Sequence, residues 1–123
     1  MHDEEPSFRI PILVSVTAIL VMLALSAVLW VMVPEHARIP LHWTIDGSPD
    51  RFGGKLEAAL TTPAIALFLF GILALAPYFE PRRRHLLQSG RAFGAIWVSL
   101  AIFLTALHLG IVLIALLSIF PAI

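Results

Sequence analysis

The sequence predicts an all-α integral membrane protein: three transmembrane helices, with a short ordered extracytoplasmic loop between the first and second. Three observations predict it. Hydrophobic residues make up 59% of the chain and charged residues 13%, with a mean hydropathy of +0.94; a typical soluble domain carries roughly 25% charged residues. Apolar runs near residues 11–33, 60–79 and 92–120 are each long enough for a helix to cross a bilayer, which takes about 20 residues. Between the first two lies a polar, turn-rich segment, Pro40 to Lys55, that holds most of the groups able to recognise anything.

The first span, 11–33, contains no charge and ends at Trp30 and Pro34. The residues before it (Asp3, Glu4, Glu5) are acidic where a signal sequence is basic, and the apolar run exceeds a usual signal core, so an uncleaved anchor is expected. The uncharged run of the second span is 60–79. Thr62 and Pro63 suit a helix cap followed by a first-turn proline. Helical periodicity also permits a start near Lys55, with Pro63 then inside an early turn. The third span, 92–120, is long for one crossing and either tilts or projects its first turns into water. The whole chain, 1–123, reads as one membrane domain.

Loop charges set the orientation. Arg9, Arg82, Arg83, Arg84 and Arg91 lie on one side, against Arg38, Arg51 and Lys55 on the other. Five basic residues against three place the amino terminus and the 80–91 loop in the cytoplasm, and the 34–59 loop outside. A neutral formal charge gives no field for nucleic acid. With no cysteine, disulfides and thiolate chemistry are excluded.

The outer loop has its own local logic. Asp46-Gly47 and Ser48-Pro49-Asp50 are turn signals, and Gly53-Gly54 can take positive φ before the next helix. Residues 39–45 are short, partly alternating and aromatic, as a strand on the membrane surface would be, and Trp43 and Phe52 suit the headgroup level. His36, His42, Glu35, Asp46, Asp50 and Glu57 supply metal-binding atoms, but their spacing fits no established zinc pattern. His42 has Asp46 or Asp50 as an orienting partner, yet no motif supplies a nucleophile. Neither a cofactor nor catalysis is expected. The blander use of His42, Trp43, Asp46 and Asp50 is to pack the loop and cap its turns.

Two further features carry chemistry. His108 lies well inside the third span, where an ionisable group is costly without a partner. Helical spacing sets it on a small-residue face with Gly94, Ala101 and Thr105, facing the bundle, and Ser15, Thr17, Ser26 or a backbone carbonyl can satisfy it. Gly90 and Gly94 form a GxxxG, which leaves room for a homo-oligomer. Arg82, Arg83 and Arg84 meet lipid headgroups, or a cytoplasmic protein.

The loop also resembles a known pattern: Pro-x-His-aromatic-(Asn or Asp)-x-x-Gly-x-x-Asp-x-aromatic-Gly-x-Lys, from the amino-terminal, uncharacterised domain of SdpI-type membrane proteins. Here it stands as Pro40, His42, Trp43, Gly47, Asp50, Phe52, Gly53 and Lys55, departing at Thr44, where the family usually has an amide or acid. The likeness runs from about Ile12 to Leu117 and covers the family's amino-terminal domain. It implies a bacterial cytoplasmic-membrane protein. The family's best-known member confers immunity to a secreted membrane-active toxin and signals by drawing a small repressor to the membrane. That member has further transmembrane helices in its carboxyl-terminal half.

The combined expectation is a non-enzymatic protein in the lipid bilayer that recognises an extracytoplasmic peptide or protein through His42, Trp43, Asp46, Gly47, Asp50 and Phe52. The alternative expectation is a small transporter subunit or accessory that uses His108 in a polar path between helices.

Overall fold

A computed structural model describes residues 8–79 and 90–119. The element order is α1 (Arg9–Met32), β1 (Ile39–Trp43), β2 (Pro49–Gly53), α2 (Lys55–Phe79) and α3 (Gly90–Ser118). All three helices are long and apolar enough to cross a membrane. At 1.5 Å per residue, α1 and α2 are about 36 and 37 Å long and α3 about 43 Å, each more than the roughly 30 Å hydrocarbon core.

Each helix is apolar all round, as a helix in lipid must be, so hydrophobicity does not say which face turns inward. Small and polar side chains mark it, interleaved with a few large ones. On α1 the buried residues are Pro11, Ser15, Ala18, Met22, Ser26 and Leu29; on α3 they are Gly90, Trp97, Ala101, Leu104, His108, Val112 and Ala115. Large apolar side chains such as Leu20, Leu67, Phe68, Phe103 and Leu117 point outward. Between helices lipid gives no hydrophobic drive, so close approach at alanines and polar contacts hold the bundle. Ala18, Ala66 and Ala101 pack in one cluster with Met22, Phe70 and Trp97, and Ala58, Ala59 and Ala115 pack in a second with Leu29, Val33, Ile39 and Val112.

The first and third helices run parallel in a fixed register. Trp97 Nε1 donates to Ser15 Oγ at 2.6 Å, and His108 Nε2 lies 2.8 Å from Ser26 Oγ. Both pairs are 82 residues apart in sequence. Phe8 and Phe93 close one end of the bundle edge-to-face at 5.4 Å, and Phe93 stacks likewise on Trp97 at 5.9 Å. The expected face of α3 is therefore half right. Ala101 and His108 share it, but Gly94 is only half-buried beside Pro11, and Thr105 turns aside to donate to its own Ala101 carbonyl at 2.8 Å.

The second helix starts at Lys55, the earlier of the two readings. Pro63 is thus an interior proline rather than a first-turn one. It has no N–H to give to the Ala59 carbonyl four residues back, which would leave that oxygen bare in hydrocarbon. Ser26 Oγ, on α1, donates to Ala59 O at 2.5 Å and fills the gap.

The segment between α1 and α2 is a two-stranded antiparallel hairpin, with Ile39 opposite Gly53, Pro40 opposite Phe52, His42 opposite Arg51 and Trp43 opposite Pro49, and register irregularities on both sides of His42. The turn is closed by Gly47 N–H on Thr44 O (3.0 Å) and Thr44 N–H on Ser48 O (2.8 Å). Gly47 has φ 89, which is why glycine is needed there. The expected positive φ at Gly53 and Gly54 is not found; a Cβ at Gly53 would meet the ends of the Leu41 and Glu57 side chains, which would have to swing aside. Ile39 plugs the hairpin root into the bundle among Leu29, Ala58, Ala59 and Val112.

Candidate functional site

The hairpin gathers most of the residues expected to act. Cross-strand pairing brings His42 and Asp50 together, Nδ1 to Oδ1 at 2.7 Å, with both side chains largely exposed. An ionised carboxylate only accepts, so Nδ1 donates to Asp50 and Nε2 takes no part in the pair. Trp43, beside it, is 37% exposed, and Phe52 on the opposite strand 43%. Arg51, opposite His42, reaches across to α2 and pairs with Glu57 at 2.8 Å, which holds the Arg51 guanidinium above its ordinary value. Pro40 has no N–H, and the carbonyl of Phe52, opposite it, accepts from the Arg38 guanidinium at 3.2 Å.

Asp46 works inside the turn. It accepts from Thr44 Oγ1 and, at 3.1 Å, from Ser48 N–H, and these bonds, Thr44's foremost, lower its pKa below the usual carboxylate value. Thr44, where the motif departs from the family pattern, thus serves the turn with its hydroxyl. Among the described residues, no three His, Asp or Glu side chains converge as a metal site would need.

Lys55 is the residue whose position the sequence reading left without a role. It is buried (8% exposed), yet no carboxylate pairs with it among the described ion pairs. Its Nζ donates to Val33 O at 3.1 Å and sits 4.3 Å above the Trp30 ring. A cation at the carbonyl end of α1 meets the negative pole of that helix, and the aromatic face adds its own attraction. Lysine at the first position of α2 therefore ties the ends of α1 and α2 together under the hairpin.

His108 lies in the bundle interior, fully buried. Ser26 has a single hydroxyl proton and gives it to Ala59 O, so its oxygen accepts from His108 Nε2–H. The tautomer is fixed by this chain of bonds, and His108 Nδ1 has no hydrogen-bond partner among the described residues. Arg82, Arg83 and Arg84 lie outside the described residues.

Fold and site together define a three-helix membrane protein with a polar hairpin seated on one end of the bundle. Residues 17–67 match the model of a family described as a domain of unknown function, DUF1648. The match takes in most of α1, the whole hairpin and the first half of α2, and leaves α3 outside. No curated protein and no solved structure matches the chain.

Proposed function

We propose that the hairpin recognises an extracytoplasmic peptide or protein, as part of toxin immunity or membrane signalling of the SdpI type. The protein would act in a bacterial cytoplasmic membrane, with its amino terminus inside and the hairpin outside. The observation that supports this best is the exposed His42–Asp50 pair: it orients the His42 ring beside a half-exposed Trp43, on a hairpin tied to the bundle by Ile39, by Arg51–Glu57 and by Lys55. Such rigid placement reduces the ordering cost of binding. Recognition by side chains suits this hairpin better than strand addition, since its strands are short and irregular and carry prolines and charges at the edge. His42→Ala or Trp43→Ala should abolish protection of cells against a membrane-active peptide while the protein still inserts. Equal sensitivity of cells with and without the whole protein would end this reading.

A second reading, a transporter subunit or accessory, is favoured by one observation, the Nδ1 of buried His108, which has no hydrogen-bond partner among the described residues. Under it, His108→Ala removes a pH-dependent flux in proteoliposomes, and an unchanged flux counts against it.

A further inference from the structure

Between α1 and α2 lies a groove of about 300 Å³, at the small end of the ~300–1,000 Å³ range of ligand pockets. Phe70 and Trp97 line it on the inside, and Leu20 and Leu67, both exposed, stand on its rim. Both helices are long and apolar enough to span, so the groove opens on hydrocarbon. Gly71 lines it too, and a Cβ placed there would meet nothing within 4 Å. Glycine in a spanning helix commonly lets a neighbouring helix approach. Here, among the described residues, nothing fills the space beside it.

One polar group belongs to this apolar wall. Ser15 lines the groove and is buried, at 7% exposure. An indole nitrogen only donates, so Ser15 Oγ accepts from Trp97 Nε1–H and its own hydroxyl proton is left over. That proton has no acceptor among the described residues. Thr105 and Ser118 show the usual escape for a hydroxyl in a helix, donating back to the Ala101 and Ala115 carbonyls. Ser15 makes no such bond.

A buried donor beside hydrocarbon calls for an acceptor. A second helix would bring backbone carbonyls already bonded within itself. A phospholipid brings an ester carbonyl with lone pairs to spare, at the head of an apolar chain. Ser15 is less than two turns from Arg9, the charged end of α1, and its side chain leans toward that end. Carbonyls at the edge of the hydrocarbon are therefore within its reach.

We propose that the groove is a binding site for one ester-linked phospholipid of the leaflet at the amino-terminal end of α1. Its acyl chain lies against Phe70, Gly71 and Trp97 while its ester carbonyl accepts from the Ser15 hydroxyl. The site is at the opposite end of α1 from the hairpin and does not depend on the recognition reading.

The test uses the full chain in mild detergent, titrated with diacyl phosphatidylcholine or with its dialkyl ether analogue, which has the same headgroup but no carbonyl. Native mass spectrometry reads the lipid retained. The expected result is one diacyl lipid held severalfold more strongly than the ether analogue. Ser15→Ala should bring the diacyl lipid down to the ether level. Gly71→Leu, whose side chain grows into the open space, should lower retention of both severalfold. Equal retention of the two lipids by the unmutated protein overturns the proposal, and that comparison needs no variant to fold. Unchanged retention in Gly71→Leu also overturns it, as does a dimer that replaces the retained lipid, because a second chain then fills the groove.

Discussion

Ser26→Ala is expected to destabilise the bundle by about 2 kcal/mol, because it strands two buried polar groups, the Ala59 carbonyl and His108 Nε2–H. An isolated interhelical hydrogen bond in a membrane averages only about 0.6 kcal/mol. The larger figure follows from the interior proline, since no amide in α2 is free to take over. Pro63→Ala supplies that amide. It should therefore stabilise the Ser26→Ala protein by clearly more than it stabilises the wild type. Reversible unfolding in bicelles or mixed micelles across the four-member cycle reads this coupling, and strictly additive effects would show that Ser26 does not replace the missing helix bond.

Trp97→Ala should cost more, about 3 kcal/mol, at the low end of the range for an aromatic truncation in a protein core. Trp97 is 1% exposed, packs against Phe93 and Phe8, and donates to Ser15. In lipid the transfer part of the usual cost falls away, and what remains is lost packing, the cavity and a stranded serine hydroxyl. Trp97→Phe keeps the ring contacts and should lose about 1 kcal/mol for the hydrogen bond alone. Phe103→Ala, at a lipid-facing site, is the control. Equal losses at positions 97 and 103 would refute a packing role for Trp97.

The sequence announced the spans through their length and lack of charge, and these signals do not depend on how helices pack. It also announced the turn, because Asp46-Gly47 can be read locally and only glycine takes φ 89 without strain. Pairing of His42 with Asp50 was one of two partners left open. Choosing between them needs the register of the hairpin, and the irregularities around His42 hide that register from simple alternation. The inward face of α3 was harder to see. Gly94 and Thr105 look like interface residues by size, but a helix that is apolar all round offers no stripe to fix its rotation, and Trp97, a large residue, proved central. The role of Ser26 was readable in part, from its place among candidate partners for His108. Its link to Ala59 had a signal that went unused, a proline four residues downstream of a carbonyl, which marks any interior proline in lipid as needing a donor from elsewhere.

The 82-residue offset shared by Ser15–Trp97 and Ser26–His108 also sets an order of events during synthesis. The Ser26–Ala59 bond spans only 33 residues and belongs to the first two helices, so it can close as soon as α2 has left the ribosome. The contacts to α3 cannot form until it too has been made. α1 and α2 can thus meet first as a helical pair, with Ser15 and the oxygen of Ser26 still waiting, and α3 then slides in as the last stave of the barrel, its place fixed by two side chains three turns apart.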